Sequence, residues 1–226
     1  MLVFIDGENF RQNLVNELYH ARLIESRDTL FRFDIAGVMR EALFCDDLDI
    51  IYYGSEVKLP KLPHGEKVDS EILEQASKIS RKMRRWKPML EDQGIEYVRA
   101  GNLKVKRVKP CRECGAKELI IQEKGVDVRL ALDIYERAIN DKPEEIAVFS
   151  SDVDLCPVYR KLKLLGVKVW YVCFADKMNI AVDKSCYKTM TISPKLVKNH
   201  FEGAFLDGDV YTGDDEFEVD DYIEEN

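Results

Sequence analysis

The chain is poor in histidine and has no long apolar run. Its only histidines, His20, His64 and His200, are scattered, so no His pair stands ready to complete a metal site. No apolar stretch approaches the roughly 20 residues of a membrane-spanning helix. The first residues make a short apolar strand that ends in an acid, too short and too polar for a signal peptide. The expectation is a cytoplasmic protein with no membrane partner, and in that compartment a disulfide framework is out of place. Cys45, Cys156, Cys173 and Cys186 sit in apolar or element-like stretches and read as reduced thiols that behave as small hydrophobes. No internal repeat is visible.

Basic residues are missing from the C-terminal end. The tail from Asp207 to Asn226 holds ten acids and no Lys or Arg, which leaves 32 acids against 34 bases in residues 1–206. The body is therefore close to neutral, and the tail, with little apolar content, is expected to be disordered. Residues 78–117 go the other way, with thirteen Lys or Arg against four acids. A run of that density reads either as a solvated face or as a polyanion-binding surface. Trp86 or Tyr97 could stack a base, so the surface suits a single-stranded polyanion, gripped by Arg81, Arg84, Arg85, Lys104, Lys106 and Arg107.

What is present is a 226-residue chain, 46% hydrophobic, with enough apolar content for one large core. Apolar runs at 2–5, 48–54, 95–101, 146–150 and 167–174 read as strands. Helical patterns fall between or beside them, at 11–24, 34–44, 67–92, 125–140 and 156–165. This alternation predicts an α/β fold around a parallel sheet, one domain over 1–205 and the tail beyond it. A basic segment at about 102–123 interrupts the rhythm and reads as an inserted hairpin or arm.

Acids then appear where a buried strand ends. Leu2, Val3, Phe4 and Ile5 run consecutively into Asp6, and Ile146 to Phe149 run through Ser150 and Ser151 into Asp152 and Asp154. Ligands of doubly wound sheets bind outside the carboxyl ends of the strands, where strand order reverses. If these two strands are neighbours, their acids converge. Helical spacing puts Asp127 on one face with Leu130, Ala131, Ile134 and Ala138, a costly place for a carboxylate without a partner or a metal. Asp133 instead groups with Arg129, Glu136 and Arg137 on a solvated charge face, and ranks lower. Taken singly, each acid has a plainer reading: Asp6–Gly7 as a turn, Asp154 or Ser151 as a helix cap, Asp127 as a cap of its own helix. Taken together, they suit a hard divalent cation and phosphodiester hydrolysis.

The stretches FIDGENF, KGVDVRLALD and VFSSDVDLCPVYRKLKLLGVKV, in this order over roughly residues 1–175, resemble the NYN domain family, a branch of the PIN-like metal-dependent ribonucleases. The resemblance implies a Rossmann-like, three-layer PIN-type fold and an endoribonuclease using Mg²⁺ or Mn²⁺. It also implies roles. Asp6 would organise the metal and Asn9 would orient acid or substrate. Asp127, Asp152 and Asp154 would complete the catalytic and metal-binding set, with Ser150 and Ser151 as hydrogen-bond donors behind them. Asp133 falls where family members often carry an acid. Glu8 is expected to face solvent in the first helical turn, where its charge suits the helix dipole.

Cys111 and Cys114 have the spacing of half a zinc knuckle. Two copies in a homodimer, or a distant cysteine such as Cys173 or Cys186, could complete a structural Zn²⁺ site; an ordinary turn with two reduced thiols is the plainer reading. The rival functions are a non-catalytic RNA- or protein-binding module and a metal-dependent phosphatase or nucleotide hydrolase.

Overall fold

A computed structural model describes residues 1–58, 70–107 and 119–205. Cys111, Cys114 and the acidic tail lie outside the described residues, as do the side chains of Arg84, Lys106 and Arg107.

In chain order the elements are β1 (Leu2–Asp6), α1 (Gly7–His20), β2 (Phe31–Phe33), α2 (Ile35–Leu43), β3 (Asp49–Lys58) and α3 (Ser70–Asp92). Then follow β4 (Glu96–Arg107), β5 (Leu119–Lys124), α4 (Val126–Asn140), β6 (Glu145–Phe149) and α5 (Cys156–Leu164). The chain continues through β7 (Lys168–Phe174), α6 (Ile180–Ser185), β8 (Lys188–Ile192), α7 (Pro194–Asn199) and β9 (Phe201–Ala204). One sheet has the order β5-β4-β3-β1-β6-β7-β8, parallel except at β5, and β2 pairs with β9 in a small antiparallel sheet.

The expected α/β architecture with a parallel core is what forms, and the reason is visible in β1. Its alternate residues feed two cores. Val3 and Ile5 pack with Phe10 and Leu14 of α1 and Val38 of α2, while Phe4 packs with Leu130 and Ile134 of α4 and Tyr159 of α5. A strand buried on both faces reads as an unbroken apolar run. The sequence expectation missed β2, β8, β9, α6 and α7. All are short, and β8 (Lys-Thr-Met-Thr-Ile) is an edge strand whose lysine and threonines break the apolar run.

The basic segment is less separate than expected. β4 continues straight into it, and β5 pairs back antiparallel from Asn102 opposite Lys124 to Arg107 opposite Leu119. Because Asp6 is level with Tyr53, β3 and β4 overhang the end of β1 and form a wall beside it.

Trp86 is a correction. It is buried among Phe31 and Tyr52 and presents no ring to a base. It belongs to an apolar seam on α3 through Ile72, Ala76, Ile79, Trp86 and Leu90, whose upper part packs on Val57 and Leu103 of the overhang. Tyr97 is also engaged, stacked on Tyr52 with Lys87 Nζ 5.7 Å from its ring centre.

Candidate functional site

The chain leaves β1 toward β3 on one side and later returns to β6 on the other, so β1 and β6 flank the point where strand order reverses. Ile5 is level with Phe149, which sets Asp6 beside Ser150 at the carboxyl end of both strands. The expected neighbouring of the two acid-tipped strands is therefore present.

Asp6 is only 5% exposed. Ser150 Oγ donates to its Oδ2 at 2.8 Å, and the Asn9 backbone amide donates to Oδ1 at 3.2 Å, which makes Asp6 the N-cap of α1. Burial pushes its carboxyl up to about 6, with those two hydrogen bonds pulling back and the charges of Asp127 and Glu123 adding to the rise. Gly7 is required for this placement. A Cβ there would run into the Tyr52 ring and the Tyr53 carbonyl, while the Tyr52 hydroxyl donates to the Gly7 carbonyl at 2.7 Å. The Asp-Gly pair thus lets α1 start hard against β3.

Asp152 caps the short 3₁₀ turn Val153–Leu155, accepting from the Asp154 amide at 2.8 Å, and its own amide bonds Ser150 Oγ at 3.2 Å. Ser150 thereby links Asp6 to the loop carrying Asp152 and Asp154. Asp154 is exposed.

Asp127 departs from expectation. The buried stripe of α4 is Val126, Leu130, Ile134 and Ala138, so Asp127 sits one residue off it, exposed in the first turn. Both stripes obey a 3.6-residue period, and packing chose the all-apolar one. Asp127 still faces the others: desolvation and the charges of Asp152 and Asp154 raise its pKa. Gly125 precedes the helix with φ +98°, a left-handed turn that an L side chain resists.

Two further side chains, Ser151 and Glu8, correct the sequence expectation, whereas Asp133 keeps to the Arg129 side of α4 as expected. Ser151 is turned away from the acids, its Oγ sharing a hydrogen bond with the Tyr171 hydroxyl at 2.8 Å and donating to the Lys177 carbonyl at 3.1 Å. Glu8 does not face open solvent; it is half-buried and holds Arg11 in a two-point pair at 2.7 and 3.0 Å. Asp133 pairs with Arg129 and neighbours Tyr53, apart from the other acids. Asn9 sits in the first turn of α1, its Oδ1 3.5 Å from the Ser151 amide and 3.2 Å from Asn13 Nδ2.

Glu123, on β5, is a candidate site residue that sequence reasoning missed. Burial raises its pKa, the nearby Ser55 hydroxyl holds that shift back, and Glu8 and Asp127 add to it. Level with Leu103, it hangs from the overhanging wall toward the crevice. Nothing in the Lys-rich segment marks it without the β4–β5 register.

Among the described residues no Lys or Arg pairs with Asp6, Asp127, Asp152 or Asp154, and no three Asp, Glu, His or Cys side chains converge closely enough to ligate one ion directly. The basic band is divided. Arg81 is exposed on α3, Arg85 lies 5.9 Å from the Phe205 ring, and Lys104 is exposed on β4, alternating with Leu103 and so on the sheet face opposite α3.

A mostly parallel α/β domain with Asp6 and the Ser150–Asp154 loop side by side at its switch point is the class that fold and site define. The NYN domain matches residues 1–193, and the chain belongs to that family, within the PIN-like nuclease superfamily. No curated protein matches it. Among solved structures, a Vibrio parahaemolyticus protein of unknown function is similar, with 14% identity over 84% of this chain and 91% of that one and a TM-score of 0.46. No helix among the described residues is long and apolar enough to cross a membrane.

Proposed function

We propose that the protein is a metal-dependent endoribonuclease that hydrolyses RNA phosphodiester bonds in the crevice between β1 and β6. One observation carries the reading: a buried carboxyl, Asp6, is held in place by Ser150 and the Asn9 amide while Asp127 raises its pKa further, and no cationic side chain pairs with it among the described residues. An unpaired buried acid beside others of like charge is costly, and a bound cation is the usual remedy.

The donor set fits such an ion. It is all oxygen, which suits Mg²⁺ or Mn²⁺ rather than zinc. Direct ligation by three acids is not needed, because Mg²⁺ keeps several waters and takes one or two carboxylates plus substrate phosphate. Asp6, Asp127, Asp152 and Asp154 would hold it. When bound, the ion would supply a polarised phosphoryl oxygen and an activated water. The chain itself supplies position: Ser150 fixes Asp6 and the Asp152 loop together, and Asn9 ties α1 to the same loop. Arg81, Arg84, Arg85, Lys104, Lys106 and Arg107 would hold the RNA phosphates around it.

The absence of direct three-acid ligation among the described residues favours, as second reading, a binding module that holds RNA without cutting it. One experiment separates these. Purified protein is incubated with single-stranded RNA, single-stranded DNA and a small phosphate ester, with Mn²⁺ or EDTA, alongside Asp6→Asn and Asp152→Asn. RNA cleavage that needs Mn²⁺ and is lost in both variants is the expected result. RNA bound but uncut, cleavage of the ester alone, or equal cleavage by variants and parent overturns the proposal.

A further inference from the structure

Helix α4 carries two apolar stripes, and the core uses one of them. Val126, Leu130, Ile134 and Ala138 pack on the sheet. Val128, Leu132, Tyr135 and Ile139 are 65%, 60%, 37% and 44% exposed. Their spacing of four, three and four residues is that of a coiled-coil seam. At 3.6 residues per turn, this second stripe is centred about 150° around the helix from the buried one, so it points away from the body. A surface helix needs one apolar stripe to dock on its own core; a second, contiguous and outward, marks a surface made to be covered.

We propose that a second copy of this chain covers it, through an antiparallel, two-fold pairing of α4 with α4. Charge argues for this occupant and this orientation. One flank of the seam carries Arg129 and Glu136, and the other carries the small Ala131, which allows close approach of the helices. With the two-fold axis between Leu132 and Tyr135, each Leu132 meets Tyr135 of the second copy and each Val128 meets Ile139. Arg129 of either copy then comes alongside Glu136 of the other, and two opposite-charge pairs form by symmetry. A parallel pair sets each charge level with its own duplicate and gains neither. Arg129 now leans on Asp133 at 2.8 Å in a pair with the arginine well exposed, an arrangement of little worth that it can exchange.

The pairing has a consequence for the crevice. Asp127 stands in the first turn of α4, and in the antiparallel pair it is level with Asn140 of the second copy. The two Asp127 residues are then 13 residues apart along the pair, or about 20 Å at ~1.5 Å per residue. The dimer is a two-site particle with its sites at opposite ends of the α4 pair.

The test is the mass of the full chain, by sedimentation equilibrium over a concentration series. The parent is expected at twice the 26.2 kDa of one chain. Leu132→Glu is expected at 26.2 kDa, with an unchanged melting curve at low concentration because Leu132 contributes to no core. Arg129→Glu should weaken the dimer, and Arg129→Glu with Glu136→Arg should restore it. Orientation is read separately: Val128→Cys with Ile139→Cys should cross-link two chains on oxidation, whereas Val128→Cys alone should add no cross-link to the parent's background. A parent at 26.2 kDa throughout, whether its seam is bare or taken by some other protein, overturns the proposal. A dimer that survives Leu132→Glu, or cross-linking through Val128→Cys alone, overturns it as well.

Discussion

Ser150 Oγ donates to Asp6 Oδ2 at 2.8 Å across 144 residues of sequence, and the same oxygen accepts from the Asp152 amide. This hydroxyl holds down the pKa of a buried acid. Ser150→Ala should leave that acid short of a donor and raise its pKa above the present value of about 6. The expected loss of stability at neutral pH is ~1–3 kcal/mol. Urea titration at pH 5 and pH 8 checks it: the loss should be larger at pH 8, where Asp6 is charged.

Asp6 also sets a stability profile with pH. Its folded pKa of about 6 stands above the ordinary 3.8, so the folded state binds this proton more tightly than the unfolded state does. The contribution is fully present below 3.8 and is lost as pH rises through about 6. The cost when ionised is up to ~3 kcal/mol, at ~1.4 kcal/mol per tenfold. In metal-free protein, Asp6→Asn should therefore raise the melting temperature at pH 7.5 and abolish this part of the decline between pH 4 and pH 7. Mn²⁺ should then stabilise the parent and leave Asp6→Asn where it was.

Gly7→Ala would drive a methyl group into the Tyr52 ring and the Tyr53 carbonyl. One of those neighbours is backbone, so α1 must shift rather than a rotamer. A destabilisation of ~1–3 kcal/mol is expected from such overpacking. Because α1 also carries the Asn9 amide that bonds Asp6, nucleic-acid cleavage should fall further than the population of folded protein does. Comparing the two by activity assay and calorimetry on one preparation makes the test.

Gln93, far from the crevice, joins three elements. Its Oε1 accepts from the Ile35 and Ala36 amides at 2.7 and 3.0 Å, and its Nε2 donates to the Phe33 carbonyl at 2.9 Å. Gln93→Ala leaves two helix-start amides without this acceptor and should cost ~1–3 kcal/mol. Gln93→Glu keeps that acceptor but sets a second oxygen against the Phe33 carbonyl in place of the donor, so it too should lose stability. Chemical denaturation of the two variants ranks them.

The legible parts of this fold were those in which both faces of an element, or one long face, are apolar. LVFI, IAVF and VKVWYVCF announce central strands because helices cover both sides of them. The placing of Asp6 beside Ser150, at the root of the Asp152 loop, followed from the single premise that the first and fourth expected strands are neighbours, as β1 and β6 are. Glu123 was illegible because its position depends on a hairpin register that no residue in LIIQEK declares. Asp127 shows a different limit. Residues 126, 130, 134 and 138 and residues 127, 130, 131 and 134 are both acceptable helical faces, and only docking decides between them. Trp86 could have been read correctly: it falls on a heptad seam with Ile72, Ala76, Ile79 and Leu90, a stronger signal than its basic neighbours.

The place of β1 in the sheet bears on how the protein is made. Of the strands of this sheet, β1 is synthesised before the others, yet it lies in the middle of the finished sheet, between β3 and β6. Its pairing with β3 is available once residue 58 has emerged, but its other edge waits for Glu145–Phe149. Through most of synthesis a strand as apolar as LVFI shows an unpaired edge, the kind of template that invites association with other chains. Long-range parallel pairing of this sort also closes slowly. Nascent chains halted before residue 145 are thus the species most in need of a chaperone. The crevice, which needs Asp6 and Ser150 side by side, comes into being only when that last edge closes.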